Sequence, residues 1–267
     1  MIVRRRMPWG KVVAFGIGEG ESVKSPVKCD THWRSPETGE EFVCSKKEFH
    51  FCLPVWMEML WHAEWQMMLV QKKFGEWEVE RKTIKLDTQM QCLGKFLCMK
   101  IYSDEAKRFV RRFRRLDIRE PRRNGKSWKL EFIASWFLLR ENNIQIAMAA
   151  QSMEAAEAGV WRAVQTMCRQ SVGARDANIV VRAKSEAIQN PMNGAQVILL
   201  PSEPDRLRGL DNPKVICLDE VRAVRDARQW SANATAAQLS IDEPVFITCT
   251  TANADPCLLY TSPSPRD

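Results

Sequence analysis

Three short segments of this chain contain residue types that can act together on a phosphate. The first is PRRNGKSW, residues 121–128, where Gly125, Lys126 and Ser127 stand directly before a stretch with helical periodicity. A glycine lets the backbone approach a phosphate, a lysine reaches its outer oxygens, and a hydroxyl can ligate Mg²⁺. The remaining loop residues would contribute backbone amides to the same concavity: Arg122, Arg123 and Asn124.

This loop departs from the full phosphate-binding pattern G-x-x-x-x-G-K-[ST]. The pattern requires glycine at position 120, where this chain has Glu120. A short GKS is common by chance, and a basic surface loop has the same residue types. The loop alone therefore leaves both interpretations open.

The second segment, KVICLDE at 214–220, favours the phosphate loop. It follows the GKS by about 90 residues and consists of an apolar run that ends in two acids. A buried strand ending this way places carboxylates where α/β sheets bind ligands. We expect Asp219 to hold Mg²⁺ and Glu220 to polarise the attacking water. The alternative is a strand that leaves the core through solvated acids.

The third segment, FITCTTAN, is an apolar run that ends in Thr250 and Thr251. Hydroxyl residues at the end of the next strand could sense the γ-phosphate and transmit its loss. These two threonines are therefore predicted to couple hydrolysis to the rest of the protein.

The surrounding pattern alternates between short apolar runs and helical stretches. Helices are predicted over 128–139, with Phe132, Ile133, Trp136 and Phe137 buried, and over 152–168. The predicted strands are LDI, IQIAMAA, NIVV, AQVILL, KVICL and PVFITCTT. This alternation predicts an α/β fold with a mostly parallel sheet and helices on both faces.

The residues before position 120 give weaker signals. The segment 104–116 is predicted to be a helix with an apolar face of Ala106, Phe109, Val110 and Phe113. Its arginines at 108, 111, 112 and 115 would form either a solvated face or a face directed to nucleic acid or phosphate. SPETGEEF predicts a turn between extended pieces, and the aromatic stretch 54–75 predicts a packed helix.

Five possible metal ligands lie in the first sixty residues: Cys29, His32, Cys44, His50 and Cys52. Two close pairs could hold a tetrahedral zinc ion. The spacing is not that of a standard zinc finger, and the sequence favours incidental residues.

The composition is compatible with a nucleic-acid partner. The net charge is +7 and the pI is about 9.0. Nine scattered cysteines indicate mostly reduced thiols in a cytosolic setting. The sequence predicts neither a transmembrane span nor a signal peptide.

Taken together, PRRNGKS before a helix, RLRGLDNPKVICLDEV and TCTTAN resemble the large terminase subunit of tailed bacteriophages over residues 105–255. The resemblance implies an ASCE-type P-loop NTPase, RecA-like in fold, that hydrolyses ATP with Mg²⁺. It also implies catalytic roles for Arg122 and Arg208, which precedes Gly209. A glutamine on the adenine side is expected upstream of the loop, and Gln66 is the best candidate by type.

The same resemblance implies a motor that drives double-stranded DNA into a capsid. The implied partners are the portal protein and the small terminase subunit, and the implied assembly is a homo-oligomeric ring, docked on the procapsid in the host cytoplasm. Residues 1–100 have no confident match, 101–255 would form the ATPase domain, and 256–267 are expected to be a non-native tail. The family's nuclease domain and nuclease activity are not expected in this fragment. The alternatives are a helicase-type P-loop ATPase and a non-enzymatic, basic nucleic-acid-binding protein.

Overall fold

The computed structural model divides the chain into two compact units. The first comprises Met1–Leu69 and Glu78–Arg114, and the second comprises Val70–Trp77 and Arg115–Asp267. The residues that the structure describes are 2–6, 12–16, 28–66, 69–73, 76–80, 88–121, 124–181, 187–201, 203–224 and 227–251. The predicted tail, 256–267, lies outside them. Within them, no helix is both long and apolar enough to span a bilayer.

The part of the chain before residue 115 consists of short strands and two helices. In order these are β1 (Ile2–Arg6), β2 (Val12–Gly16), β3 (His32–Arg34), β4 (Glu41–Val43), β5 (His50–Phe51), α1 (Leu53–Gln66), β6 (Leu69–Lys73), β7 (Glu76–Glu80), α2 (Thr88–Cys98), β8 (Met99–Ser103) and β9 (Arg108–Arg111). Strands β5, β8 and β9 form one antiparallel sheet, and the pairs β1–β2, β3–β4 and β6–β7 form three smaller ones. The predicted turn in SPETGEEF joins β3 to β4. The helix predicted over 54–75 is too long, because α1 ends at Gln66 and a strand follows.

The helix predicted over 104–116 is wrong. Lys107 has φ +53° and reverses the chain, so β9 returns along β8. Phe109 and Val110 are buried as predicted, but they lie in a strand whose backbone groups pair with β8. The predicted arginine face does not form, since the Arg112 guanidinium lies 4.0 Å from the centre of the Phe49 ring. In so short a segment, tertiary strand pairing overrides the helical spacing.

The second unit alternates strands and helices as predicted. Its elements are β10 (Arg115–Glu120), α3 (Lys126–Arg140), β11 (Gln145–Ala149), α4 (Met153–Ala156), a π-helical segment (Glu157–Trp161), α5 (Arg162–Gln170), α6 (Val172–Asp176), β12 (Val180–Val181), β13 (Ala187–Gln189), β14 (Gln196–Leu199), a 3₁₀ segment (Pro204–Gly209), β15 (Pro213–Leu218), a 3₁₀ turn (Val221–Ala223), α7 (Ala227–Ala237) and β16 (Val245–Thr251). The side chains predicted to be the buried stripe of α3 are all buried.

One seven-stranded sheet organises this unit. Its strand order is β10-β16-β15-β11-β14-β13-β12. The first five strands are parallel, and β13 and β12 are antiparallel additions at one edge. The strand before the candidate loop and the strand before the acids are therefore not neighbours, because β16 lies between them.

Both faces of the sheet are covered. On one face, Trp230 and Ala234 of α7 and Leu207 of the 3₁₀ segment pack in a core with Ile216 and Phe246. Helix α3 packs against β11, β14 and β15, and α5 packs against α3. Because successive side chains of a strand point to opposite faces, each buried strand supplies both cores. This explains why β15 is buried along its whole length.

Strand β10 is more charged than a central strand, and Arg115, Asp117 and Glu120 each have a partner within the unit. Asp117 accepts a hydrogen bond from the Thr248 hydroxyl of β16 and pairs with Arg115. At the end of the strand, Glu120 forms an ion pair with Lys129 of α3, whose side chain is fully buried. The glutamate at the position of the pattern's first glycine thus neutralises a buried cation.

Replacing Glu120 with the glycine of the phosphate-binding pattern is expected to destabilise the protein. Glu120→Gly removes the partner of buried Lys129, and breaking a buried pair costs several kcal/mol, here roughly 3 kcal/mol because Glu120 is partly exposed. Glu120→Gln separates the loss of charge from the effect of glycine on the backbone. Adding Lys129→Met to Glu120→Gly should recover most of the loss. Urea denaturation measures all four proteins, and an unchanged unfolding free energy in Glu120→Gly would show that the pair is not stabilising.

Candidate functional site

The candidate loop leads directly into a helix. Gly125 has φ +80° and ψ +20°, a left-handed conformation that glycine adopts without strain, and α3 begins at the next residue. The first backbone amides of a helix have no intrahelical acceptors, and the N-terminal end of its dipole favours anions. Asn124 and Ser127 are exposed at this end. Arg122 and Arg123 lie outside the described residues.

Lys126 is the cation of this site. Its side chain is only 9% exposed. Its ammonium group donates to the hydroxyl of Thr251 at 3.2 Å and to the backbone carbonyl of Glu120 at 3.3 Å. It also lies 3.8 Å from the Glu220 carboxylate. The loop, the acidic segment and the threonine segment, which are far apart in sequence, therefore meet at this ammonium group.

Asp219 lies directly after β15, beside the neighbouring strand β11. Its backbone amide donates to the carbonyl of Ala149 at 2.8 Å, and its carboxylate accepts from the amide of Glu220 at 3.0 Å. Burial raises the pKa of Asp219 above its ordinary value, and the charge of Glu220 adds to this, while the Glu220 amide and the charge of Lys126 oppose it. A carboxylate that burial penalises in this way gains from a nearby cation.

Glu220 is held at this edge by its backbone and by Thr251. It has φ +48° and ψ +47°, an uncommon conformation for a residue other than glycine. Its carboxylate accepts from the Thr251 hydroxyl at 2.7 Å and from the Thr251 amide at 3.2 Å. Two hydrogen bonds from a strand end orient the carboxylate, although its side chain is 39% exposed.

The two predicted coupling threonines occupy different environments. Thr251 contacts both Glu220 and Lys126. Thr250 points to the other face of the strand, and its hydroxyl is buried without a hydrogen-bond partner among the described residues. The contacts therefore bring Thr251, rather than Thr250, to the acidic residue.

Another predicted residue of the second unit is not brought to this edge. Arg208 lies on the 3₁₀ segment, its side chain is 72% exposed, and it pairs with Asp205 at 3.7 Å. Gln66 is the last residue of α1, in the first unit, and its side chain lies outside the described residues.

The Lys129–Glu120 pair was missed by the sequence interpretation. Lys129 lies one helical turn after Lys126, and its only signal was the unexpected acid at position 120.

The donors at this edge fit Mg²⁺. Asp219 and Ser127 offer carboxylate and hydroxyl oxygens, which are the hard ligands that this ion prefers. The raised pKa of Asp219 is consistent with a carboxylate whose charge a cation would offset.

The fold resembles that of solved phage terminases. The crystal structure of the large terminase of bacteriophage HK97 matches with a TM-score of 0.51 at 18% identity, covering 72% of this chain and 37% of that chain. The large terminase of a thermophilic bacteriophage matches with a TM-score of 0.43 at 16% identity, covering 51% of this chain and 34% of that chain. The ATPase domain of the Thermus phage P74-26 large terminase matches with a TM-score of 0.41 at 16% identity, covering 56% of this chain and 64% of that chain. No protein-family model and no curated protein matches the chain.

The likeness to the HK97 protein confirms the predicted fold class, a P-loop, RecA-like α/β fold with a mostly parallel sheet. The chain spans little more than a third of the length of the HK97 protein.

The buried carboxylate makes stability depend on pH. Because the folded state raises the pKa of Asp219, ionised Asp219 destabilises the fold above that pKa. The destabilisation shrinks as the pH falls below it and is gone below the pKa of the unfolded chain. Asp219→Asn should therefore unfold at a higher temperature than the parent at neutral pH, with the difference shrinking in acid. Thermal unfolding across a pH series measures this, with exposed Asp176→Asn as the control. If Asp219→Asn were less stable than the parent at neutral pH, the favourable interactions of the Asp219 carboxylate with its neighbours would exceed the cost of burying its charge.

Proposed function

We propose that this chain is the ATPase part of a phage large terminase subunit, a motor that hydrolyses ATP to move double-stranded DNA into a capsid. The single observation that supports this most is the convergence of Lys126, Glu220 and Thr251 at the carboxyl edge of a parallel sheet, beside Asp219 and the start of α3. The HK97 protein, with the same fold, is itself a large terminase. The net charge of +7 suits a DNA partner.

In the proposed mechanism each residue has a separate task. Lys126 and the first amides of α3 bind the β- and γ-phosphates, and Gly125 lets the backbone come close. Ser127 and Asp219 would hold Mg²⁺, which neutralises charge on the phosphates when bound. Glu220 accepts the proton of the attacking water. Arg122, Arg123 and Asn124 are proposed to complete the loop, and Gln66 to contact the adenine side.

Thr251 is proposed to link phosphate binding to the catalytic carboxylate. Its hydroxyl contacts both the Lys126 ammonium and the Glu220 carboxylate. A phosphate bound by Lys126 would compete with the Thr251 hydroxyl and the Glu220 carboxylate for the Lys126 ammonium group. The position of Glu220 would then respond to the presence of the γ-phosphate. Thr250, one residue earlier, is proposed to transmit this response through the strand.

The wider assembly is proposed from the resemblance to phage large terminase subunits. The chain would act as a subunit of a homo-oligomeric ring, with the portal protein and a small terminase subunit as partners. It would work in the host cytoplasm, docked on the procapsid.

Two variants test the nucleotide chemistry. Glu220→Gln keeps the hydrogen bonds from Thr251 but loses the base, so it should bind ATP while hydrolysing it roughly a hundredfold or more slowly. Lys126→Ala should lose hydrolysis and bind nucleotide more weakly, because a neutral side chain cannot replace the ammonium group. Fluorescent-nucleotide binding and phosphate release measure the two effects. Normal turnover in Glu220→Gln would place the catalytic carboxylate elsewhere.

A DNA substrate distinguishes the motor from the rival activities. A translocating motor should displace a third strand from a triplex without separating the duplex, and Glu220→Gln should abolish the displacement. Strand separation would favour a helicase-type ATPase. Salt-dependent DNA binding with no nucleotide effect would favour a non-enzymatic binding protein.

Arg208 is proposed to act on the ATP of a neighbouring subunit. Its exposed side chain and its solvated ion pair with Asp205 leave it accessible to a partner. An arginine acting in trans contributes on the order of 10³-fold or more to the rate. Arg208→Ala and Glu220→Gln subunits should each be inactive alone, yet a mixture should recover activity. In mixed rings, Glu220→Gln subunits supply the arginine to the intact acid of their Arg208→Ala neighbours. No recovery in mixtures shown to form rings would leave Arg208 a surface residue.

A further inference from the structure

The first unit contains a buried cluster of three thiols and one imidazole that the nucleotide chemistry does not use. Its members are Cys29, Cys44, His50 and Cys52, and their ligand atoms all lie within 4.8 Å of one another. Each is less than a tenth exposed. The sequence favoured incidental residues, but the structure gathers four of the five candidates. His32 is exposed on β3 and does not belong to the cluster.

The four ligands come from separate pieces of chain. Cys29 and Cys44 flank the β3–β4 hairpin, where the Cys29 amide donates to Lys46 and the Cys44 amide donates to Thr31. His50 lies in β5, and Cys52 lies directly before α1. A common centre would therefore tie the hairpin, β5 and the start of α1 together.

The imidazole is already oriented as a ligand. His50 Nδ1 bonds the backbone carbonyl of Glu48, and because a carbonyl can only accept, Nδ1 must hold the proton. Nε2 then presents its lone pair, and it lies 3.2 Å from the Cys44 sulfur. A hydrogen bond from the other ring nitrogen to a carbonyl is the usual outer support of a metal-bound histidine.

A second support faces the thiols. The Thr31 hydroxyl lies 3.3 Å from the Cys29 sulfur and accepts a hydrogen bond from the Lys100 ammonium group at 3.0 Å. The hydroxyl proton is thus free to point at the sulfur. Three thiolates around a divalent cation carry one net negative charge, and Lys100 supplies a positive charge close to it.

We propose that Cys29, Cys44, His50 and Cys52 bind one structural zinc ion. Three sulfurs and one imidazole nitrogen complete a tetrahedral shell, with no position open for a substrate. The strands that the ligands join are two or three residues long, and so small a framework gains stability from a metal cross-link. This inference does not depend on the proposed ATPase activity.

Metal analysis of the purified 267-residue chain tests the site. About one zinc per chain is expected by mass spectrometry, and cobalt uptake should give the visible absorption of a tetrahedral thiolate site. Cys44→Ala should lose the metal, whereas Cys168→Ala, which removes a buried thiol of the second unit, should keep it. His50→Cys should keep it as a four-cysteine site, while His50→Ala should weaken it. Thr31→Val should lower zinc affinity about ten- to a hundredfold in competition with a chelator.

Two results would overturn the proposal even if a variant does not fold. One is folded parent protein that contains no zinc and gives no tetrahedral cobalt spectrum. The other is a disulfide within the cluster, detected by mass spectrometry in protein purified without oxidant. Zinc that remains bound in both Cys44→Ala and His50→Ala would also exclude these residues as its ligands.

Discussion

The parallel pairing of β16 with β10 on one side and β15 on the other is the interaction on which the candidate site depends. Glu120 is opposite Thr251 in one register, and Leu218 is opposite Thr248 in the other. These registers bring three strand ends to one edge, so the residues that follow them meet. A slip of one residue would turn every side chain of β16 to the other face and move Thr251 away from Glu220 and Lys126.

Several charged side chains are partly or fully buried at this edge, and each buried charge needs a hydrogen-bond or ion-pair partner. Lys126 has a carbonyl, a hydroxyl and a carboxylate within reach, while Lys129, one turn further on, has Glu120. The two buried lysines of α3 thus share Glu120 through different atoms, because Lys126 contacts its backbone carbonyl and Lys129 pairs with its carboxylate. Lys129 can be neutralised by Glu120 while Lys126 remains able to exchange its partners for a phosphate. The Glu120 carboxylate therefore stabilises the helix through Lys129, and only the backbone carbonyl of this residue contacts the Lys126 ammonium group.

The sequence was informative where local patterns determine the structure. GKS before a helix, the Asp-Glu pair after an apolar strand and the threonines at the end of the next one predicted the edge, because parallel strands present their carboxyl ends together. Strand β9 was not predictable, since phenylalanine and valine at this spacing fit a short helix as well as a strand. The Lys129–Glu120 pair was missed, and the cluster of Cys29, Cys44, His50 and Cys52 was considered but not favoured, for a different reason. Their members are joined by tertiary contacts between segments, and the periodicity of a local sequence stretch does not indicate such contacts.

The two units are stabilised by different physical means. The second buries a five-stranded parallel core between helices on both faces, so hydrophobic burial along whole strands such as β15 stabilises it. In the first unit, β3, β4 and β5 have only two or three residues each, which leaves few ladder hydrogen bonds to fix the hairpin against α1. The thiols and the imidazole lie where those short elements meet. A metal there would supply, through four bonds, the cross-linking that the second unit obtains from its sheet. Removing the metal should therefore loosen the first unit through its own ligands and leave the register of the large sheet, which the strands themselves determine, unchanged.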